Sequence, residues 1–536
     1  MWTPFALALA LAAPPQRTEP APARLVVLIA VDQLVPEQLQ RLDARFTGGF
    51  RRLLDQGAVF WRATVDYAAT ETGPGHATLA TGRWPQHTGI VGNVLFDRAE
   101  RRSVYCIGDP AAHPLSESGV DEARASVSPA TLLGDGLGDL LERAASGSKT
   151  LALSGKDRSA VLMGGRAPEA ALWWNGGSGG FTSSSAYGTR LPEFAAVWNR
   201  AWRERARGWE WRNEAGDLAA LGTAPDEREG EVRRGGRTLP RTLPSEDAPL
   251  AGAVLFSPLL DYFTLELATL ALDTEQLGRD DAVDLLALSL SGVDVLGHSY
   301  GPDSVEVSDL LLRNDRELGR LFKTLDEKVG AGRWLACLSS DHGVLDLPEQ
   351  LQGEGIGARR VATAEVAALE RSVAEALAEL HPEAGSLGLA RVELGFAFDE
   401  AAARAAGIEP AELRRTIAEV CEATPWIEDA YTLEELLGAG PADPWLVLHR
   451  RSSHPERTPD VVLRAEPWLL FDFPEGTSHG SPYPYDRRVP LIFLGGKVRA
   501  QQRFDRASPT DAVPTLLTLL GLPLPADLDG RALVVD

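Results

Sequence analysis

Cysteine is scarce, with only Cys106, Cys337 and Cys421 in 536 residues. Their spacing matches no zinc-binding pattern, which excludes a thiolate metal cluster. Cys337 lies in the apolar run Trp334-Leu-Ala-Cys-Leu338 and is expected in the core. Cys106 and Cys421 are left as a pair that an oxidising compartment could join, a question their spacing does not decide. Positive charge is also short: 53 Lys and Arg stand against 76 Asp and Glu, a formal net charge of -23. Such a chain repels a nucleic-acid backbone and has no basic stripe to bind one, so nucleic acid is excluded as a partner. An anionic substrate would need local positive charge, which bound metal ions can supply to an acidic protein. There is no internal repeat, and no apolar run long enough to span a bilayer, so no stable membrane insertion is expected.

What is present is a composition, 44% hydrophobic and 24% charged, that fits a globular protein with a sizeable core. The apolar run from Met1 to Ala13 precedes the polar, Pro-rich stretch Pro14 to Ala23. Its length and small terminal residues fit a secretory signal peptide cleaved near Ala12 or Ala13, with only the terminal amine as its positive region. Residues 1–23 are therefore expected to be a signal peptide and linker, and a periplasmic or secreted location follows. No Cys follows the run, so no lipid anchor is expected.

Short apolar runs read as strands buried on both faces: Leu25 to Val31, Thr150 to Leu153, Val283 to Leu290, Trp334 to Leu338 and Val489 to Leu494. Between them lie amphipathic patterns such as Ser308 to Phe322, apolar at steps of three and four. The alternation predicts an α/β fold: a doubly wound, mostly parallel central sheet with helices on both faces, spanning residues 24–536. Two stretches break it and are expected to be insertions, at about 166–249 and 353–470. The first holds Trp173, Trp174, Trp198, Trp202, Trp209 and Trp211 and is expected to form a small core of its own, with one ring a candidate to line the substrate site. The second carries helical patterns at Val361 to Leu380 and Ala411 to Ala423. Ser508, Pro509 and Gly521 read as the start and stop of a last helix.

Doubly wound folds bind ligands at the carboxyl ends of their strands, and the polar motifs fall there. Asp32 follows the first run, Lys156 and Arg158 the second, Asp294 the third, and Asp341 and His342 the fourth. Asp294-Val-Leu-Gly-His298 sets a carboxylate and an imidazole four apart, within reach of one cation; a helix-capping Asp beside a surface His would look the same. Asp341 and His342, adjacent in a Gly-terminated turn, converge only if the turn aims them together. His479 lies in the Gly- and Ser-rich stretch Gly476-Thr-Ser-His-Gly-Ser-Pro482. Three carboxylates and three imidazoles without a thiolate suit zinc better than manganese or iron. In Glu71-Thr72-Gly-Pro-Gly-His-Ala77, Thr72 is a hydroxyl at a helix start, where backbone amides could receive a phosphate oxygen. A plain Gly-Pro turn into a helix reads equally well from that segment alone. Asn93, after Gly92, also reads as a turn residue.

In order along the chain these motifs resemble the alkaline phosphatase superfamily, and most closely its PafA-type single-chain bacterial branch, whose nucleophile is threonine. The resemblance runs from about Leu25 to Leu533. It is carried by Ala30-Val-Asp32-Gln, Glu71-Thr72-Gly-Pro-Gly-His-Ala, Gly89-Ile-Val-Gly-Asn93, Ser154-Gly-Lys156-Asp-Arg158, Asp294-Val-Leu-Gly-His298-Ser-Tyr-Gly-Pro, Ser340-Asp341-His342-Gly and Thr477-Ser-His479-Gly-Ser-Pro. It implies that Asp294, His298 and His479 hold one zinc ion and Asp32, Asp341 and His342 a second, with Thr72 a further ligand of the second. It implies a phosphothreonine intermediate, with Asn93 donating to a phosphate oxygen. Lys156 and Arg158, which match that branch and are missing from the nucleotide pyrophosphatase and phosphodiesterase branch, would meet the extra anionic oxygen of a monoester. Alternate residues leaving a strand would point both cations at one ligand.

The implied activity is hydrolysis of small-molecule phosphate monoesters by an exported monomer. The alternatives are a phosphodiesterase or nucleotide pyrophosphatase on the same scaffold, or an inactive metal-binding homologue. A sulfatase would need a Cys or Ser motif that the surroundings of Thr72 do not offer. Thr70 is a second hydroxyl of the right type; Thr72 is preferred because it sits the family distance before Asn93. His76, His87, His113, His381, His449 and His454 match no ligand position and read as structural or surface residues. Gly292 leaves the approach to Asp294 irregular.

Overall fold

The computed structural model describes residues 22–536 apart from 215, 217–224, 233–235, 237, 383, 384, 386 and 472. The expected signal peptide lies outside the described residues. An eleven-stranded sheet forms the body. At its centre five strands run parallel in the order Trp334–Ser339, Leu25–Val31, Asp284–Leu290, Thr150–Ser154 and Ala170–Trp174. The first strand shows why both faces must be covered. Val27 and Ile29 belong to one apolar core, and Val26 and Leu28 to another on the opposite face. Period-two side chains on a strand with no polar face require helices on either side. Leu259–Thr274 and Val305–Leu325 cover one face, and Thr72–Thr81, Asp157–Gly164 and Ala512–Leu520 the other.

The expected α/β fold, a central sheet with helices on both faces, is present, and three details differ from the sequence reading. Leu491–Gly495 is a strand, but it pairs antiparallel with Trp334–Ser339 and with Ala58–Phe60, so the sheet is parallel at its centre and mixed at its flanks. An apolar run reveals burial, not direction. The stretch from 166 does not leave the sheet at once: Ala170–Trp174 pairs parallel with Thr150–Ser154, and Phe181–Ser184 pairs antiparallel beside it. The tryptophans form no separate core. Trp174, Trp198, Trp202 and Trp211 pack with Phe263 into the main core on one sheet face, and Trp173 into the core on the other.

From Arg359 to Phe471 the chain makes a unit with its own core. Arg359–Val361 and Leu469–Phe471 run side by side where it leaves and rejoins the body. Between them a four-stranded sheet is backed by Thr363–Leu380 and Pro410–Glu422. Cys106, Cys337 and Cys421 are buried free thiols. Among the described residues no single helix is long and apolar enough to cross a membrane.

Candidate active site

Four neighbouring parallel strands deliver the polar residues. Asp32 ends Leu25–Val31, Asp341 and His342 follow Trp334–Ser339, and Lys156 follows Thr150–Ser154. After Asp284–Leu290 the chain turns directly into the helix Gly292–Tyr300. This settles the irregularity at Gly292: its N–H donates to the buried Asp261 carboxylate at 2.8 Å, and a Cβ there would lie 2.9 Å from the same group. Asp294 is therefore not a helix cap. It stands in the first turn with His298 one turn on, on one face.

Asp294, His298 and His479 bring one ligand atom each within 4.8 Å of one another. So do Asp32, Asp294 and His342, and also Asp32, His76 and Asp341. Each of the three expected ligand imidazoles turns Nδ1 to a main-chain carbonyl: His298 to Thr477 at 2.7 Å, His479 to Thr70 at 2.7 Å and His342 to Gly343 at 3.0 Å. A carbonyl only accepts, so Nδ1 carries the proton and Nε2 keeps its lone pair for the cluster. Three of the converging atoms, Asp32 Oδ1, Asp341 Oδ2 and His342 Nε2, are buried with no hydrogen-bond partner. They lie close together, His342 Nε2 being 3.2 Å from Asp341 Oδ2 and 3.6 Å from Asp32 Oδ1. Orphaned buried carboxylate and imidazole atoms are costly unless a cation completes them, and this donor set fits zinc.

Thr72 opens the helix Thr72–Thr81 and is fully buried. The helix can sit this close to the Asp341 turn because position 75 is glycine: a Cβ there would lie 2.4 Å from Asp341 Cβ. Thr72 Oγ1 accepts from Arg158 Nη2 at 3.2 Å and from Lys156 Nζ at 3.5 Å. The two cations get there differently from the expectation. The strand ends at Ser154, Lys156 caps the helix Asp157–Gly164, and Arg158 lies in its first turn. The backbone donors that follow Thr72 are committed elsewhere. Gly73 N–H donates to Asn93 Oδ1 at 2.8 Å, Pro74 has none, and Gly75 N–H donates to Glu71 O. Asn93 is thereby oriented with its Nδ2 as the end left to donate, and its own N–H is held by Glu71 Oε2 at 2.7 Å. The Thr70 hydroxyl is turned away, donating to Ser481 O at 2.8 Å.

Like charges crowd the site. Burial, then Asp294 and Asp341, push the Asp32 carboxyl up. Against the effect of burial, His298 and Lys156 hold Asp294 well below the ordinary range. Lys156 Nζ bridges Asp32 Oδ2 at 2.6 Å and Asp294 Oδ2 at 2.5 Å. Burial and the adjacent His342 ring, stacked at 3.5 Å, push His479 down to about 3.

Sequence reading missed two residues. Gln33 takes a left-handed backbone, φ 70, that lets its N–H reach Asp341 Oδ1 at 3.1 Å and its Nε2 reach Asp294 Oδ1 at 2.9 Å. No sequence signal announces such a backbone. His76 is fully buried among the ligands, and its four-residue step from Thr72 was the available signal. The site opens into a cavity of about 560 Å³ walled by Asn93, Arg158 and His479 on the body and by Val392, Leu463 and Phe471 on the inserted unit. None of the clustered tryptophans lines it.

Fold and site together define the class, an α/β enzyme with candidate metal-binding groups at the carboxyl ends of parallel strands. A family model described as type I phosphodiesterase / nucleotide pyrophosphatase matches residues 26–480. Alkaline phosphatase PhoK of Sphingomonas sp. is 30% identical over 538 residues, covering 96% of this chain and 91% of that protein. Alkaline phosphatase PafA of Elizabethkingia meningoseptica is 28% identical over 96% of this chain and 95% of its own. The crystal structure of wild-type PafA superposes with a TM-score of 0.85 at 26% identity, covering 98% of this chain and 99% of that one. The chain belongs to the alkaline phosphatase superfamily and is an enzyme of that superfamily.

Proposed function

We propose that this enzyme is an exported, zinc-dependent phosphate monoester hydrolase that works as a monomer through a phosphothreonine at Thr72. The observation that carries the reading is the Thr72 hydroxyl, buried beside the candidate metal groups with Arg158 and Lys156 donating to it. The names of PhoK and PafA, both alkaline phosphatases, support it. In the first step Thr72 Oγ1 gives its proton to solvent and attacks phosphorus; the Oγ1–P bond forms, the bond to the leaving oxygen breaks, and that oxygen leaves as the anion or takes a proton from water. Arg158, Lys156 and Asn93 Nδ2 donate to the non-bridging oxygens, where charge is held in the transition state. Water then attacks the phosphothreonine, releasing phosphate and restoring the hydroxyl.

Asp294, His298 and His479 would hold one zinc ion and Asp32, Asp341 and His342 the other, with Thr72 beside the second. Bound there, zinc would supply Lewis acidity, which would lower the hydroxyl pKa and balance charge on the leaving oxygen. The family description names diester chemistry, which keeps a phosphodiesterase as the second reading. Two cations at the nucleophile favour the monoester, whose dianion offers one more charged oxygen.

The test is to measure rates on an aryl phosphate monoester and the matching diester, with and without chelator, beside zinc analysis. The monoester should be preferred, and activity should vanish with chelation and return with zinc. Preference for the diester, or full activity without metal, would overturn the proposal.

A further inference from the structure

His76 is not needed to complete either expected ligand set, yet it lies beside Asp32 and Asp341 of the second. It sits one helical turn after Thr72, fully buried. Its Nδ1 is 2.8 Å from the Thr72 carbonyl oxygen and 3.2 Å from Asp341 Oδ2, and its Nε2 is 2.9 Å from Ser289 Oγ. The carbonyl can only accept, so Nδ1 carries the proton and Nε2 accepts from the Ser289 hydroxyl. Both nitrogens are thus committed. Although His76 approaches Asp32 and Asp341 as closely as a ligand would, it has no lone pair to give a metal ion. What it presents to Asp341 is the N–H edge of Nδ1, which is hydrogen-bonded to Thr72 O and also faces Oδ2 at 3.2 Å. Asp341 Oδ1 already takes Gln33 N–H at 3.1 Å and the Ser340 hydroxyl at 3.2 Å, while Oδ2 has no partner but the nearby His76 and His342 nitrogens.

We propose that His76 is a positioning residue: its Nδ1–H, hydrogen-bonded to the Thr72 carbonyl, faces Asp341 Oδ2 and holds that carboxylate by charge attraction beside the Thr72 main chain. The carboxylate that would hold a metal ion and the hydroxyl that would attack are thereby kept in register by one imidazole. The Thr72 carbonyl fixes this tautomer, and Ser289, on the strand Asp284–Leu290, holds the other end of the ring through Nε2. Groups that orient ligands in this way typically change metal affinity or activity about 10–100-fold when replaced. The inference rests on reading Asp32, Asp341 and His342 as metal ligands.

Two substitutions separate the roles of the two nitrogens. The amide nitrogen of Asn overlays Nδ1 of His, and that of Gln overlays Nε2. His76→Gln should lower zinc affinity, measured by competition with a chromophoric chelator, about tenfold or more. It should also lower kcat, with KM little changed. His76→Asn should recover most of both. Thermal unfolding of the two variants checks that both are folded. Should either variant not fold, Ser289→Ala carries the test and should weaken zinc binding several-fold. Equal zinc affinities in the Asn and Gln variants, or parent affinity in Gln or in Ser289→Ala, would overturn the role of His76. A parent protein that binds no zinc would instead overturn the ligand reading beneath it.

Discussion

Arg158 donates to the Thr72 hydroxyl oxygen across 3.2 Å from the first turn of a helix, with its own N–H held by Asp157 Oδ1 at 2.7 Å. Lys156 is shared instead, reaching Thr72 at 3.5 Å while bridging Asp32 and Asp294. Both can serve a dianion, and only a monoester offers them the additional charged oxygen. Replacing both with Ala should slow monoester hydrolysis roughly a hundredfold or more, from charge-assisted contacts of about 1.5–3 kcal/mol each. Diester hydrolysis should fall much less. Equal losses at matched leaving group would mean that the pair only maintains the fold.

Asp294 faces two imidazoles, with Oδ1 at 3.2 Å from His298 Nε2 and 3.6 Å from His479 Nε2. Asp294→Ala or His479→Ala should therefore remove one zinc ion. The activity lost should exceed the roughly 10–100-fold typical of groups that only hydrogen-bond a ligand. Full zinc occupancy in either variant, measured by metal analysis, would show the ligands to be wrong.

The metal-free protein should respond to pH with a definite sign. Burial, then Asp294 and Asp341, push Asp32 up to about 7. Against its burial, Asp341 and then Asp32 push His342 up to about 9. Both groups bind a proton more tightly folded than unfolded. Their contribution to stability is therefore lost as pH rises through about 7 and then about 9. Metal binding needs the same groups deprotonated and strengthens over that window. The rise in Tm on adding zinc to chelated protein should be larger at pH 9 than at pH 6; a rise that shrinks would contradict the crowding described.

Gly75→Ala tests the close approach of the Thr72 helix to the Asp341 turn. The new Cβ would meet the Asp341 carbonyl oxygen at 2.5 Å and its Cα at 2.7 Å, neither of which can rotate away. Overpacking of this kind costs about 1–3 kcal/mol. Tm and zinc affinity should fall together, and a variant with parent values of both would show that the helix has slack.

Much of this was legible because apolar runs and their polar ends are local. The strand Leu25–Val31 and the carboxylate after it are adjacent in sequence, and so are Trp334–Ser339 and Asp341. What stayed hidden depends on distant contacts or on single backbone angles. The direction of Leu491–Gly495 is set by its partners, and the sheet position of Ala170–Trp174 by Thr150–Ser154. The tryptophans fill the main core because Phe263, far along the chain, packs against them. Gln33 reaches two carboxylates only through its left-handed backbone. That the Thr70 hydroxyl donates to Ser481 O is likewise a contact between residues far apart in the chain.

The central claim, attack by Thr72 on phosphorus, is tested most directly by acid-quenching the enzyme during turnover of an aryl phosphate monoester and mapping phosphopeptides by mass spectrometry. Phosphate should be found on Thr72, and Thr72→Ala should give neither phosphopeptide nor appreciable turnover while keeping most of its zinc. Phosphate on Thr70, or a Thr72→Ala enzyme that still turns over, would contradict the account.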